Sequence, residues 1–486
     1  MKKQDLKFYN YTNSDKINFK GYKYVYAIFS VIIFLTFFMF SNNIFASSND
    51  NDLKLYCNGD ILVDNDSGAV LYGKNAYSKV YPASTTKVMT AILVLEKLDP
   101  STSVVASKNA VYSTPIGSSA INVKVGEVFT VEQLLYGLLL HSGNDAANVL
   151  AEAVSGNIND FVDLMNQKAK ELGCKNTHFA NAHGFHDPDH YTTPYDMMLI
   201  FRYALKNSTF EKIIETKNYV IPKTNKTDEP RYLQNTDRLL FKTSEDPYGA
   251  YYEYALGGKT GYTIEARGTF VGIAKKDNKT LLIGSFDGSQ NISGHEGRFL
   301  DAVTLFNYGF NNFNKITIFD KSSTSFDVID KENKEEYTIG LKDNVETLAK
   351  DKNYSSTYNL DIDFNKLQEA ITDNSIIVGK MNYNVNGNGW SLSNSEDLVI
   401  QNLQKYTDAK TKKIRQYLVL SISGIILIMF IYFCIKKFKN GGKMKYKKNT
   451  IYKKEINDLN FKDSKKINYN EKRRRPNRIS RIDHLK

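Results

Sequence analysis

The apolar positions of this chain switch between two periods. Residues 61–64 and 69–72 are β-forming runs either side of Asn65-Asp66-Ser67-Gly68, which predicts a hairpin. Residues 269–274 and 280–286, flanking the polar connector KKDNK, predict a second one. Between them the period lengthens to that of helices. After Pro82, the run STTKVMTAILVLEKL places Val88, Ile92 and Leu95 on one helical face. Thr130-Val-Glu-Gln opens another helix with a capping-box pattern, followed by Leu134, Leu135, Leu138 and Leu139. DAANVLAEAV and DFVDLMNQKAKEL continue the helical run. Hairpins at both ends of a helical middle predict an α/β (α+β) body over 52–312, its antiparallel sheet assembled from both chain ends.

Beyond about residue 315 the chain turns to Asn, Asp, Lys, Ser and Thr with scattered β-formers. Met381, Tyr383 and Val385 alternate with Asn residues, and Gly387-Asn388-Gly389 makes a turn. A small solvated β-rich domain is expected over 316–400, then a polar stalk over 401–416. No internal repeat of fixed period occurs.

Two runs are apolar throughout. Residues 24–40 are uncharged and come after a lysine-bearing leader; Ile44 and Ala46 then suit the −3 and −1 positions of a signal-peptidase site. This order describes a secretory signal over 1–46. An uncleaved anchor is the alternative, and either one exports the body downstream of it. Residues 417–435 are also uncharged and would reach roughly 28 Å as a helix, about the hydrocarbon thickness of a bilayer. Lysine-dense flanks on both sides disfavour a buried core helix. The heavier basic cluster begins at Lys436, which places the tail 436–486 in the cytoplasm and the body outside.

Composition sharpens this. With 42% apolar and 13% aromatic residues the chain is not disordered. Cys57, Cys174 and Cys434 supply neither a disulfide scaffold nor a Cys-rich zinc module. The net charge of +11 sits at the ends: the tail carries +14 and the first 25 residues +4, leaving the rest at −7. A nucleic-acid enzyme would carry its positive field on the folded part, so no nucleic-acid partner is expected. The tail, with KRRR at 472–475, reads as a solvated or anionic-lipid-binding extension.

Three short motifs carry chemistry: Ser84-Thr-Thr-Lys87, Ser142-Gly-Asn144 and Lys259-Thr260-Gly261. Each alone is weak; in combination each sits where one reaction needs it. Residues three apart on a helix share a face, so Ser84 and Lys87 can meet. A serine hydroxyl is a poor nucleophile until a base takes its proton. Lysine is such a base only when neutral, which requires desolvation or a second cation nearby, and Lys259 suits that part. Ser84 in a first turn also exposes backbone N–H groups to a developing oxyanion. Ser142 and Asn144 lie in the break between two helices, where Ser142 would relay a proton to a leaving amine and Asn144 would bond a substrate amide. Gly257, Gly258 and Gly261 let a substrate backbone lie along a strand edge, with Lys259 and Thr260 facing a terminal carboxylate.

These motifs resemble those of the serine D-alanyl-D-alanine carboxypeptidases, the low-molecular-mass penicillin-binding proteins. The similarity extends to ILVDNDSGAVLYGKNA, YPASTTKVMTA, LLYGLLLHSGNDAANVLAE, GCKNTHFANAHGF, HYTTPYDM and GGKTGYT, most of 55–310. It implies that Ser84 forms the acyl-enzyme, Lys87 accepts its proton and Ser142 assists the transfer. Asn144, Lys259, Thr260, Gly261 and Tyr262 would bind substrate, and the oxyanion hole would use the backbone N–H of Ser84 and Tyr262. GRFLDAVTLFNYGF resembles the family's last helix, which makes Arg298 a further partner for the carboxylate. The expected partners are peptidoglycan stem peptides, β-lactam antibiotics as covalent inhibitors, and the cell membrane. No cofactor and no metal are expected: His178, His183, His186 and His190 cluster, but family-like segments account for three of them structurally. Departures are Tyr262, where many relatives have His, and Ala266-Arg267-Gly268 in place of a smaller pair.

Three alternatives stay open on the sequence. A class A β-lactamase carries the same motifs but deacylates with a loop glutamate, and Glu171-Leu-Gly-Cys-Lys-Asn does not match that loop. An endopeptidase would use the same residues. A non-catalytic receptor would keep the pocket and signal through the span and tail.

Overall fold

The computed structural model describes residues 53–242, 244–245, 250–288, 296–330, 335–370, 373, 375–401 and 403–440. The expected signal segment and most of the basic tail lie outside the described residues.

Strand β1 (Cys57–Asp64) turns through Gly68 into β2 (Val70–Lys74), the first expected hairpin, longer than its apolar core. A 3-10 turn over Ala83–Thr86 leads into α1 (Lys87–Lys97). A short ribbon of β3 (Ser103–Val105) and β4 (Val128–Thr130) brackets α2 (Lys108–Tyr112). Helix α3 (Val131–Leu139) starts with the capping box read from the sequence, Thr130 and Gln133 bonding each other's backbone N–H. Then come α4 (Asn144–Ser155), α5 (Ile158–Glu171), α6 (Pro194–Ala204) and α7 (Ser208–Glu215). A second ribbon, β5 (Asn218–Ile221) with β6 (Arg231–Gln234), returns the chain to the sheet. There β7 (Ala255–Thr263), β8 (Arg267–Lys276) and β9 (Lys279–Gly288) form an antiparallel meander. Helix α8 (Gly297–Asn312) closes this part.

Strand β1 pairs with both β2 and β9, so the sheet joins the two ends of this part as the apolar pattern implies. Alternate residues of its strands feed opposite cores. Ile61 and Val63, Val271 and Ile273, Leu282 and Phe286 pack with the helices α1 to α7. Leu62, Phe270, Leu281 and Ile283 pack on the other face with Phe299, Phe306 and Phe310 of α8. A sheet covered on both faces reads as continuous apolar strands, which is why β1 and β9 look the same on each side. This is an α/β fold, an antiparallel sheet with helices on both faces.

The later strands mostly extend the same sheet, the first and fourth of them pairing with each other in a separate two-stranded sheet. They are β10 (Asn314–Phe319), β11 (Ser325–Asp330), β12 (Glu335–Leu341), β13 (Val345–Ala349), β14 (Tyr354–Ile362), β15 (Gly379–Gly387) and β16 (Trp390–Ile400), with α9 (Phe364–Ala370) between β14 and β15. The sheet runs β11-β12-β16-β2-β1-β9-β8-β7, with β15 and β14 stacked onto β16, and β16 touches β2 through the pair Ser391–Val70. Met381, Tyr383 and Val385 are buried in one core with α8. By itself, helix α10 (Leu403–Asn440) carries an apolar stretch over Lys413–Tyr432 of mean hydropathy 2.0, none of it buried.

Candidate active site

The three sequence motifs converge where the 3-10 turn, the α3–α4 break and β7 meet. Glycine makes the approach possible. A Cβ on Gly261 would stand 2.7 Å from the Ser84 amide nitrogen and 2.4 Å from Thr269 Oγ1, so only a bare backbone lets β7 lie against the turn. On the other side, Gly184 at φ +83° presses its backbone onto Ala83, where a Cβ would fall 1.8 Å from the carbonyl oxygen. The turn itself is strained: Ala83 sits at φ 48°, and Ser142 at φ 60°. Non-glycine residues in this region cost energy that the surrounding packing must offset, and such residues cluster at functional sites.

Within this frame Lys87 Nζ lies 2.8 Å from Ser84 Oγ. It also reaches Asn144 Oδ1 at 2.7 Å and the His183 carbonyl at 2.6 Å. All three partners are uncharged, and the amine is fully buried. Burial therefore holds Lys87 well below the usual lysine range, with Lys259 lowering it further and Asp145 opposing. Asp145 is occupied by the N–H groups of Ile121, Val123 and Ala146. A neutral amine has two N–H donors and one lone pair. The Asn144 amide oxygen and the His183 carbonyl accept only, so they take the two donors, and the lone pair faces the one partner able to donate, the Ser84 hydroxyl.

Lys259, on β7, is also buried and donates to Ser142 Oγ at 3.1 Å and to the Thr260 carbonyl at 2.7 Å. Burial and the neighbouring Arg298 guanidinium bring it down to about 7, against a pull from Asp237. Thr260 Oγ1 is 2.6 Å from Thr236 Oγ1. Arg298 donates to the carbonyls of Gly261 at 2.6 Å and Thr269 at 3.0 Å and is ion-paired with Glu296, which seats it on the β7–β8 pair. Tyr262 keeps its ring half exposed beside the cleft.

The candidate residues from the sequence thus gather around one network of contacts. Sequence reasoning missed Asp237 and Thr236, which precede β7. Asp237 is fully buried, and burial pushes its carboxyl up to about 7 against the Leu239 N–H, Arg298 and Lys259. It missed the His183 carbonyl as well, since a backbone acceptor leaves no side-chain signal. The histidines act as fasteners: His190 bonds Thr86 Oγ1 at 2.7 Å and accepts from the Ala180 N–H at 3.0 Å. Burial pushes His183 and His190 down to about 3, so both are neutral at physiological pH. His141, beside Ser142, is exposed. Glu171 sits on the surface of α5, paired with Lys168 and bonded by Gln167.

A half-buried serine bonded to a buried lysine at the foot of a helix, facing a lysine-bearing strand edge, is the arrangement of an active-site-serine acyl-transfer enzyme. Comparison with known proteins narrows the class. The model of the D-alanyl-D-alanine carboxypeptidase family matches residues 46–289, and the chain belongs to that family. It is 33% identical over 279 residues to D-alanyl-D-alanine carboxypeptidase DacF of Bacillus subtilis, covering 57% of this chain and 68% of that one. It is 38% identical over 252 residues to DacB2 of Mycobacterium tuberculosis, covering 51% and 81%. Similarity to DacA of Haemophilus influenzae, 28% over 377 residues, covers 75% of this chain and 89% of that one, reaching past α8 into the later strands. The chain is a serine-type peptidase, a hydrolase of peptidoglycan.

Proposed function

We propose that the chain removes the terminal D-alanine from peptidoglycan stem pentapeptides through a Ser84 acyl-enzyme. The observation that carries this is the Lys87 amine, 2.8 Å from Ser84 Oγ and surrounded by neutral oxygens alone. Neutral Lys87 takes the Ser84 proton as Oγ attacks the penultimate D-Ala carbonyl. The oxyanion forms between the backbone N–H groups of Ser84 and Tyr262, a reading supported by the close approach of the bare Gly261 to the Ser84 amide. Ser142, bonded to Lys259 Nζ, passes a proton to the leaving amine. Asn144 bonds the amide of the preceding residue, while Lys259, Thr260 and Arg298 hold or polarise the terminal carboxylate. Water then cleaves the ester, releasing the shortened stem and restoring Ser84. A β-lactam, whose ring amide mimics the scissile bond, acylates the same oxygen.

Lys413–Tyr432 supports a single-pass membrane span, with the catalytic half exported by the N-terminal segment and the basic tail cytoplasmic. In this reading 52–312 is catalytic, 316–400 a β-rich domain and 401–416 a stalk. Incubation with a pentapeptide should release free D-alanine, read by chromatography, and Ser84→Ala should release none. A cross-linked dimer cut faster than the pentapeptide would instead favour the endopeptidase.

A further inference from the structure

Where α8 crosses the interior strand β1, three side chains outside the Ser84 contact network converge. Cys57 and Asp60 come from β1 and Asp301 from the second turn of α8, and all three are wholly buried. Their Sγ and carboxylate oxygens lie within 4.8 Å of one another. Asp301 is already well held, accepting from the N–H of Tyr56 at 2.9 Å and of Cys57 at 2.6 Å. Asp60 is held more weakly: the Ser285 hydroxyl facing it on β9 is a weak donor to it, and among the described residues neither side chain closes a full hydrogen bond. Leaving a buried carboxylate without partners costs far more than a typical hydrogen bond contributes.

The neighbouring cation is Lys74, whose Nζ is turned to the carbonyls of Cys57 at 2.6 Å and Leu55 at 3.2 Å. Burial holds the thiol and both carboxyls above their usual ranges. A metal that displaced their protons would leave a thiolate and two carboxylates beside one ammonium, a net charge of −2. A divalent cation balances it and gives Asp60 the full partner it lacks. Ligand atoms at most 4.8 Å apart enclose a centre at most about 2.8 Å from each (4.8/√3), so a contraction of about half an ångström reaches zinc distances of roughly 2.3 Å to sulfur and 2.0–2.2 Å to oxygen. Calcium and magnesium take oxygen ligands, whereas a thiolate selects a softer ion.

We propose that Cys57, Asp60 and Asp301 form a structural site for a divalent transition-metal ion, with Zn2+ the best fit, that pins α8 to β1. The site is separate from the reaction centre but linked to it mechanically. Asp301 lies three residues after Arg298 on α8, so fixing that turn fixes the guanidinium that bonds the Gly261 carbonyl. Nothing in the sequence advertised it, because one cysteine and two aspartates split between β1 and a helix 244 residues further on form no motif.

The test uses the untagged full chain, purified without chelator and desalted. Elemental mass spectrometry should find about one equivalent of zinc per chain, and zinc added to chelator-stripped protein should raise its melting temperature. Cys57→Ser and Asp60→Asn should each lose the equivalent and the thermal shift while still being labelled by penicillin. Co2+ added to stripped wild-type protein should give a thiolate-to-metal charge-transfer band, a readout that stands even if a variant fails to fold. Metal-free protein without the cobalt band, or zinc retained equally by Cys57→Ser, would overturn the site. Because penicillin labelling is read separately, its loss in wild-type protein would count against the Ser84 reading and not against the metal.

Discussion

Lys259 Nζ and Ser142 Oγ meet at 3.1 Å across 117 residues of sequence. This contact joins the sheet half of the cleft to the helical half. It also lines up two amines and two hydroxyls: Lys87 with Ser84, Lys259 with Ser142. The pairs are not equivalent. Lys87 is placed to give up its charge, and Lys259, also bonded to the Thr260 carbonyl, to hold a substrate carboxylate when charged. Each ammonium makes the other less stable, so the two cannot both be protonated cheaply.

The pH profile of acylation can be derived from that asymmetry. Lys87 must be neutral and Lys259 charged, so kcat/KM for penicillin acylation should rise as Lys87 loses its proton. It should then fall as pH climbs through about 7, where free Lys259 loses its own. Stopped-flow acylation between about pH 5 and pH 9 would check this; a rate still rising steadily at the alkaline end would remove Lys259 from the role.

Arg298 supplies a second test of the same electrostatics. It is a like charge that lowers Lys259, so Arg298→Gln should let Lys259 keep its proton to higher pH and move the alkaline limb upward. The position of the limb, rather than the height of the profile, is the readout, since the substitution also removes donors to Gly261 and Thr269. A limb that stays in place would mean that the two cations do not sense each other.

Loss of the base should be graded rather than absolute. Lys87→Gln keeps a polar group at the Asn144 and His183 acceptors but offers Ser84 no basic lone pair. Acylation should fall by about 10²–10⁴, the usual contribution of a general base. Ser84→Ala should leave no covalent adduct at all. Intact mass spectrometry with penicillin distinguishes the two outcomes.

Much of this arrangement is legible in the chain, for physical reasons that differ from residue to residue. Ser84 and Lys87 could be paired because helical spacing is local. What could not be read is that the turn carrying Ser84 is 3-10 with Ala83 at positive φ, since that strain is imposed by Gly184 from a distant loop. The β1–β2 and β8–β9 hairpins are evident from alternation and turn residues. The join of β16 to β2 through Ser391–Val70 is not, because register between distant strands leaves no periodic trace. Asp237 escaped notice for a similar reason: an aspartate in LQNTDRLL looks like a loop residue until the fold buries it beside two cations.

Gly261 is where backbone rather than side chain should decide activity. In Gly261→Ala the new methyl meets the Ser84 amide nitrogen at 2.7 Å, a backbone atom that cannot swing aside, and Thr269 Oγ1 at 2.4 Å. Relieving the contact moves β7 from the turn, at a cost of about 1–3 kcal/mol. It would also separate the two N–H groups that are to hold the oxyanion, where losing one donor typically costs roughly 10²–10³ in rate. Acylation should therefore drop more than the melting temperature implies. A variant that melts lower yet acylates at the wild-type rate would show that the close approach serves packing alone.

Deacylation should be slow. The acidic residue with the sequence placement of a deacylating glutamate, Glu171, lies on the solvent face of α5, tied to Lys168 and Gln167. With that carboxylate turned away from the cleft, the penicilloyl ester should outlast the peptidyl ester, whose turnover needs only a water reaching the carbonyl after D-alanine departs. Glu171→Gln should change neither the labelling rate nor the lifetime of the adduct. Rapid hydrolysis of a chromogenic cephalosporin, abolished by that substitution, would instead make the enzyme a β-lactamase and require the α5 terminus to move towards Ser84.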